Sequence, residues 1–184
     1  AGRSISCKKL FWTLELEKAE KLLFGSSDIE NYIHPVPMLV VYFEVLEKDI
    51  ADYTYLHDHS DDTAVFRFSS IGKYSKQNID GYSYICCEVP TKLESEYWKT
   101  PDLFIEQFWR EAKLLKIVSA NAEYTDYKIL KAPVTFKLPK IGFSAMEQHV
   151  RNKLSQFDTL ILTDSSYFST QDIAKVIHDE LQEL

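Results

Sequence analysis

The residues best suited to chemistry lie between positions 55 and 96. His57-Asp58-His59, followed by Asp61 and Asp62, has the donor types of a divalent-metal site. The spacing fixes no third ligand, however, and Asp is an ordinary residue of polar turns, so no metal site is expected. His34, His149 and His178 are isolated in the sequence. Glu94 and Glu96 form a carboxylate pair in a loop-like stretch with no apolar surroundings to raise a pKa for general acid work. A self-contained hydrolase is therefore unsupported, and no catalytic residue is assigned. The cysteines, Cys7, Cys86 and Cys87, are odd in number and form no C-x-x-C pair. They read as thiols of a reducing, cytoplasmic setting rather than as a disulfide framework or a zinc knuckle.

A second set of capable residues emerges from strand alternation, in which neighbours point to opposite faces. In one run Leu39, Val41, Phe43 and Val45 share a side, against Tyr42 and Glu44. In another, Ile85, Cys87 and Val89 oppose Tyr82, Tyr84, Cys86 and Glu88. Tyr53, Tyr55 and His57 share a face, and Arg67 opposes Phe66 and Phe68, which are expected to be buried. One assembly puts the aliphatic side chains against helices and the Tyr, His, Arg and Glu side chains on the other surface. That surface is either a solvated face with tyrosine cross-strand pairs or the wall of a ligand cleft. In the second case Tyr55, His57, Arg67, Tyr84 and Glu88 line the substrate side. Arg67 then binds a carboxylate or phosphate. Its alternative is an ion pair with Glu44 or Glu88.

The elements that must position these residues follow from periodicity and capping. Cys7–Thr13 reads as a short strand, and Thr13 can cap a helix through Phe24 with Leu16, Ala19, Leu22 and Leu23 on one side. His34-Pro35-Val36-Pro37 leads in extended form to a strong strand at Met38–Leu46. Strands at Tyr53–His57, Ala64–Ser69 and Tyr82–Val89 are split by short connectors, which favours antiparallel pairing. Thr100-Pro101 opens a helix carrying Phe104, Phe108, Ala112 and Leu115. Asp126–Lys137 is extended. Ser144–Glu147 looks like a capping box ahead of Met146, Val150 and Leu154. Asp158–Thr163 is a short apolar strand. A second box at Ser169–Asp172 opens the last helix. The order β-α-β-β-β-β-α-β-α-β-α defines an α+β fold: a mostly antiparallel, mixed sheet with helices packed on one face.

Composition narrows the function classes. The 184 residues suit one ordinary domain, read as a single unit over 1–184, with 45% hydrophobic and 27% charged residues. Lys and Arg total 21 against 28 Asp and Glu, a net charge of −7 that argues against a nucleic-acid partner. Only five glycines occur, at 2, 25, 72, 81 and 142, where average usage would give about 13. No G-x-G-x-x-G, P-loop or G-x-S-x-G is present, so there is no Rossmann nucleotide-binding unit. No apolar run is long enough for a membrane span.

The order of segments resembles the flavin-dependent amine-oxidase-like proteins, in particular their protoporphyrinogen-oxidase-like and UDP-galactopyranose-mutase-like members. Cys7–Leu23 (CKKLFWTLELEKAEKLL) is similar to the stretch in which a strand ending in W-T-x-P-L leads into a short helix, with Glu15 in place of the proline. Tyr55-Leu56-His57-Asp58, Phe66-Arg67-Phe68-Ser69, Cys87-Glu88-Val89-Pro90 with Trp98, and Ala132-Pro133-Val134 resemble further family segments. Leu160–Ala174 looks like the family's closing strand, turn and helix, with Asp164 matching and the glycine-bearing turn missing. The resemblance implies a substrate-binding domain, part of a longer FAD-dependent oxidoreductase, inactive alone and taking a small-molecule substrate. Its partner would be a nucleotide-binding domain in the same or a separate chain. Asp164 and Asp172 would be the flavin contacts, with FAD in the intact protein and none in the isolated chain. The alternative is a non-catalytic ligand-binding or protein-interaction module using the tyrosine-rich face.

Overall fold

The computed structural model describes residues 4–75, 80–163 and 170–182. The chain divides into two compact units, Pro35–Leu138 and the combination of Ala1–His34 with Pro139–Leu184.

The first of these units is built on an antiparallel sheet of β2 (Ile33–Leu46), β3 (Tyr55–His57), β4 (Arg67–Ser70), β5 (Tyr82–Pro90) and β6 (Tyr124–Pro139), in the order β3-β4-β5-β2-β6. The register pairs Val41 with Cys87 and Phe43 with Ile85, so the aliphatic sets of β2 and β5 share one face. Those side chains are fully buried. Against them packs α4 (Ile105–Leu114), which contributes Ile105, Phe108, Trp109 and Ala112 to the same core. Phe43, Trp109 and Tyr124 form a ring cluster with centroids 5.1–5.3 Å apart. Two short helices, α2 (Ile71–Ser75) and α3 (Glu96–Lys99), were not expected. Ser95 caps α3, its hydroxyl accepting from the Trp98 N–H. The Thr100 hydroxyl donates back to the carbonyl of Glu96, the first residue of α3, so it does not cap the next helix. A 3-10 turn at Pro101–Phe104 leads into α4 instead.

The second unit contains β1 (Leu10–Trp12), α1 (Leu16–Phe24), α5 (Phe143–Leu154), β7 (Leu160–Leu162) and α6 (Thr170–Gln182). β1 and β7 pair in parallel as a separate two-stranded sheet, with Phe11 opposite Ile161. The core joins Leu16, Ala19 and Ile29 to Val150 and Leu154.

The expected apolar stripe of α1 is corrected. Leu22 is 72% exposed and Leu23 is also exposed, whereas Glu20 is fully buried. The Glu20 carboxylate accepts from the Ser27 hydroxyl and the Asp28 N–H at 2.9 Å, from the Ile29 N–H at 3.5 Å, and from Lys153 Nζ at 3.1 Å. It thus serves the free N–H groups of the following 3-10 turn, the role a local capping side chain would fill. Burial alone would raise its pKa, but Lys153 and the other donors outweigh burial and hold it below the usual carboxylate value. Thr13 does not cap α1, which starts after Glu15. Ser144 does not cap α5 either. Gly142, at φ 90°, is the N-cap, and a Cβ there would lie 3.0 Å from a Tyr32 ring carbon. Glu147, expected to complete that box, pairs with Arg151 one turn on.

Candidate functional site

The five residues assigned to the substrate side do share one face of the sheet. Tyr55 stands opposite Ser69, and His57 opposite Arg67. Arg67 stands opposite Glu88, Ser69 opposite Cys86, and Tyr84 opposite Glu44. Directly opposed side chains lie about 5 Å apart at Cβ, so His57, Arg67 and Glu88 form one continuous row, with Tyr55 beside it. Tyr84 is four residues from Glu88 on β5, roughly 13 Å along the strand. The structure therefore gathers Tyr55, His57, Arg67 and Glu88 and sets Tyr84 in a second cluster.

Arg67 pairs through Nη2 with a Glu88 carboxylate oxygen, the cross-sheet ion pair that was its structural alternative. The pair leaves the guanidinium unsaturated, because Nε is buried and has no hydrogen-bond partner. The Arg67 side chain is 38% exposed and that of Glu88 13%, so Arg67 is the more open partner of the pair.

The chain enters β4 by a local irregularity. The Phe66 N–H donates to the Glu88 carbonyl at 2.8 Å, while Arg67 is the residue in register with Glu88. Two residues thus oppose one, as in a β-bulge. Phe66 is consequently not a core residue opposing Arg67, as alternation suggested. It is half-buried, with its ring 5.0 Å from that of His57, and the fully buried neighbour is Val65. Glu111 of α4 fixes this approach. Its carboxylate accepts from the Ala64 and Val65 N–H groups at 3.0 Å and from Gln107 at 2.8 Å. Tyr53 is a second correction: it precedes β3 and packs against the apolar core, its buried hydroxyl without a hydrogen-bond partner. Burial pushes the pKa of that hydroxyl well up.

In the second cluster Glu44 accepts from the Thr125 and Tyr84 hydroxyls, both at 2.7 Å. These bonds, that of Thr125 first, lower the Glu44 pKa, and Glu44 in turn raises that of Tyr84. Between the clusters Cys86 is 5% exposed. Burial, then the nearby Glu88 charge, pushes its thiol up to about 11, so it is protonated at neutral pH.

Asp58 accepts from the Thr63 hydroxyl and from the Ser60 N–H and hydroxyl, which lowers its pKa. Among the described residues no group of three or more His, Cys, Asp and Glu could hold a metal ion. None of the described helices is long and apolar enough to cross a membrane. Asp164 lies outside the described residues, as does the side chain of Asp172 on the first turn of α6. Near that helix, an open groove of about 490 Å³ is lined by Ser144, Glu147, Gln148, Arg151, Leu162 and Val176.

Sequence reasoning did not place Phe66 on this face or connect Glu111 with the approach to β4. The consecutive apolar residues Ala64, Val65 and Phe66 were the available signal, since such a run leaves the strand's parity ambiguous.

No protein-family model matches the chain, and no curated protein matches it. Solved structures do. Reduced UDP-galactopyranose mutase superposes with a TM-score of 0.69 at 15% identity, over 98% of this chain and 42% of that one. A protein provisionally named a protoporphyrinogen oxidase, from Exiguobacterium sp. 255-15, gives 0.61 at 12% identity, over 95% of this chain and 41% of that one. The chain therefore spans about two-fifths of the length of these proteins, and at such identities the likeness is one of fold. The fold is like part of UDP-galactopyranose mutase and of that second protein, the two kinds of protein whose segments the sequence resembles.

Proposed function

We propose that this chain is the substrate-binding part of an FAD-dependent oxidoreductase. The observation that carries the proposal is the match of nearly the whole chain to two-fifths of UDP-galactopyranose mutase. The absence of a phosphate cradle supports it, because a chain with five scattered glycines must leave the diphosphate of FAD to another domain or chain. Asp164 and Asp172 are then the contacts that this chain offers the flavin.

The role of this chain is then to bind and orient. Arg67 supplies charged donors for a carboxylate or phosphate of the substrate. Glu88 holds the guanidinium in place, and Glu111 holds the backbone that presents it. Tyr55 and His57 flank the anion, while Tyr84 and Glu44 present a hydroxyl and a carboxylate farther along the same wall.

The test is Arg67→Met in the intact, flavin-loaded protein. Loss of a charge-assisted hydrogen bond should weaken substrate binding about tenfold or more, with bound flavin unchanged. Unaltered kinetics would remove Arg67 from the substrate role. A loss of flavin instead would show that this face serves the cofactor.

A further inference from the structure

Beside Arg67 lies a continuous ledge of rings that the ion pairs of the sheet do not explain. His57 is the hub: its ring centroid is 5.4 Å from Tyr55, 5.9 Å from His59 and 5.0 Å from Phe66, and His59 and Phe66 are 5.7 Å apart. Tyr55 is 59% exposed, and both histidines are exposed as well. β3, which carries two of these rings, is an edge strand of three residues. The bulge at Phe66 turns a ring that strict alternation would bury onto this surface. Exposed rings on an edge strand invite unwanted association unless they serve a ligand.

We propose that this ledge seats a planar aromatic ring whose anionic substituent reaches Arg67. The proposal rests on the assignment of this face to substrate and names the class of substrate: an aromatic carboxylate or phosphate. Tilted ring pairs at about 5–6 Å offer both faces and edges, against which a further ring gains by stacking or edge contact. Ring faces also attract cations, but the guanidinium directly opposite His57 repels a cation and selects an anion. Cross-strand neighbours about 5 Å apart put the guanidinium at the border of any ring lying on His57 and Phe66. Glu88 takes one guanidinium nitrogen and is the less exposed partner, which leaves the exposed part of Arg67 open to a ligand anion.

The experiment titrates the full chain with three probes, naphthoate, naphthol and cyclohexanecarboxylate, by ligand-detected NMR, with circular dichroism confirming that each variant is folded. Naphthoate should bind about tenfold more tightly than either of the others. Arg67→Met should abolish the preference for naphthoate over naphthol. Phe66→Leu should abolish the preference for naphthoate over cyclohexanecarboxylate. Tyr55→Leu, which leaves the bulge intact, should reduce that preference in the same direction. Equal binding of the three probes, or no binding, overturns the proposal. So does a ring preference that survives both ledge variants. If Arg67→Met removes carboxylate binding while no ring preference exists, the ledge fails and the Arg67 assignment stands. If a ring preference exists but Arg67→Met changes nothing, the Arg67 assignment fails as well.

Discussion

Glu20→Gln tests the most consequential departure of the fold from its sequence pattern. The native carboxylate accepts from Lys153, Ser27, Asp28 and Ile29. Glutamine preserves the shape and one acceptor oxygen. That oxygen can serve the turn N–H groups only by leaving an amide NH2 against the Lys153 ammonium, or the reverse. The loss is therefore one charge-assisted hydrogen bond, about 1.5–3 kcal/mol, plus weakening of the others. Lys153 is 31% exposed and sits over the Phe24 ring at 4.1 Å, so it keeps access to water and adds no penalty for a stranded buried charge. We expect about 2–3 kcal/mol in total, a fall in Tm of roughly 5–10 °C for a chain of this size. Urea denaturation at neutral pH, with hydrogen exchange followed in α1 and α5, measures it. The pH dependence has a defined sign. The folded pKa is lowered, so the contribution of Glu20 is complete above the ordinary carboxylate range and is lost as pH falls through that range toward the folded value. The gap between the native protein and the variant should therefore narrow on acidification. A gap under about 0.5 kcal/mol at neutral pH, or one that does not narrow, refutes the reasoning.

Two other outcomes follow from burial. Phe108 is fully buried in the middle of α4, with the Tyr97 ring 5.7 Å away, so Phe108→Ala should cost about 3–5 kcal/mol. A urea midpoint shift equivalent to less than about 1 kcal/mol would mean that α4 does not cover the sheet. Iodoacetamide should modify exposed Cys7 well before Cys86, whose thiol is pushed to about 11, or Cys87, whose thiol burial raises well above its ordinary value. Mass spectrometry showing Cys86 labelled as fast as Cys7 in the folded protein would contradict the described packing of the polar face.

Much of the central sheet was legible because alternation is a local signal. Leu39, Val41, Phe43 and Val45 alternate without interruption, and one buried face suffices to specify their register. Arg67 was placed on the correct face for the same reason. Phe66 was not, because a bulge depends on the partner strand, here the Glu88 carbonyl, and the apolar run Ala64-Val65-Phe66 only leaves the parity of the strand open. Glu20 resembles a surface residue until its partner Lys153, 133 positions away, is known. The pairing of β1 with β7 is similarly non-local, joining residues 150 positions apart. The start of α5 at Gly142 was hidden by a plausible Ser-x-x-Glu sequence, and what decides it is a positive φ packed against the Tyr32 ring.

The central claim is that this chain works as part of a flavoprotein without holding the flavin alone. Flavin content decides it most directly: the native protein, purified through a tag on its own gene together with whatever chain accompanies it, compared with the isolated 184-residue chain. The account predicts bound FAD in the native preparation and a colourless isolated chain with no sub-micromolar affinity for FAD by calorimetry. A native preparation devoid of flavin, or an isolated chain that binds FAD tightly, would contradict it.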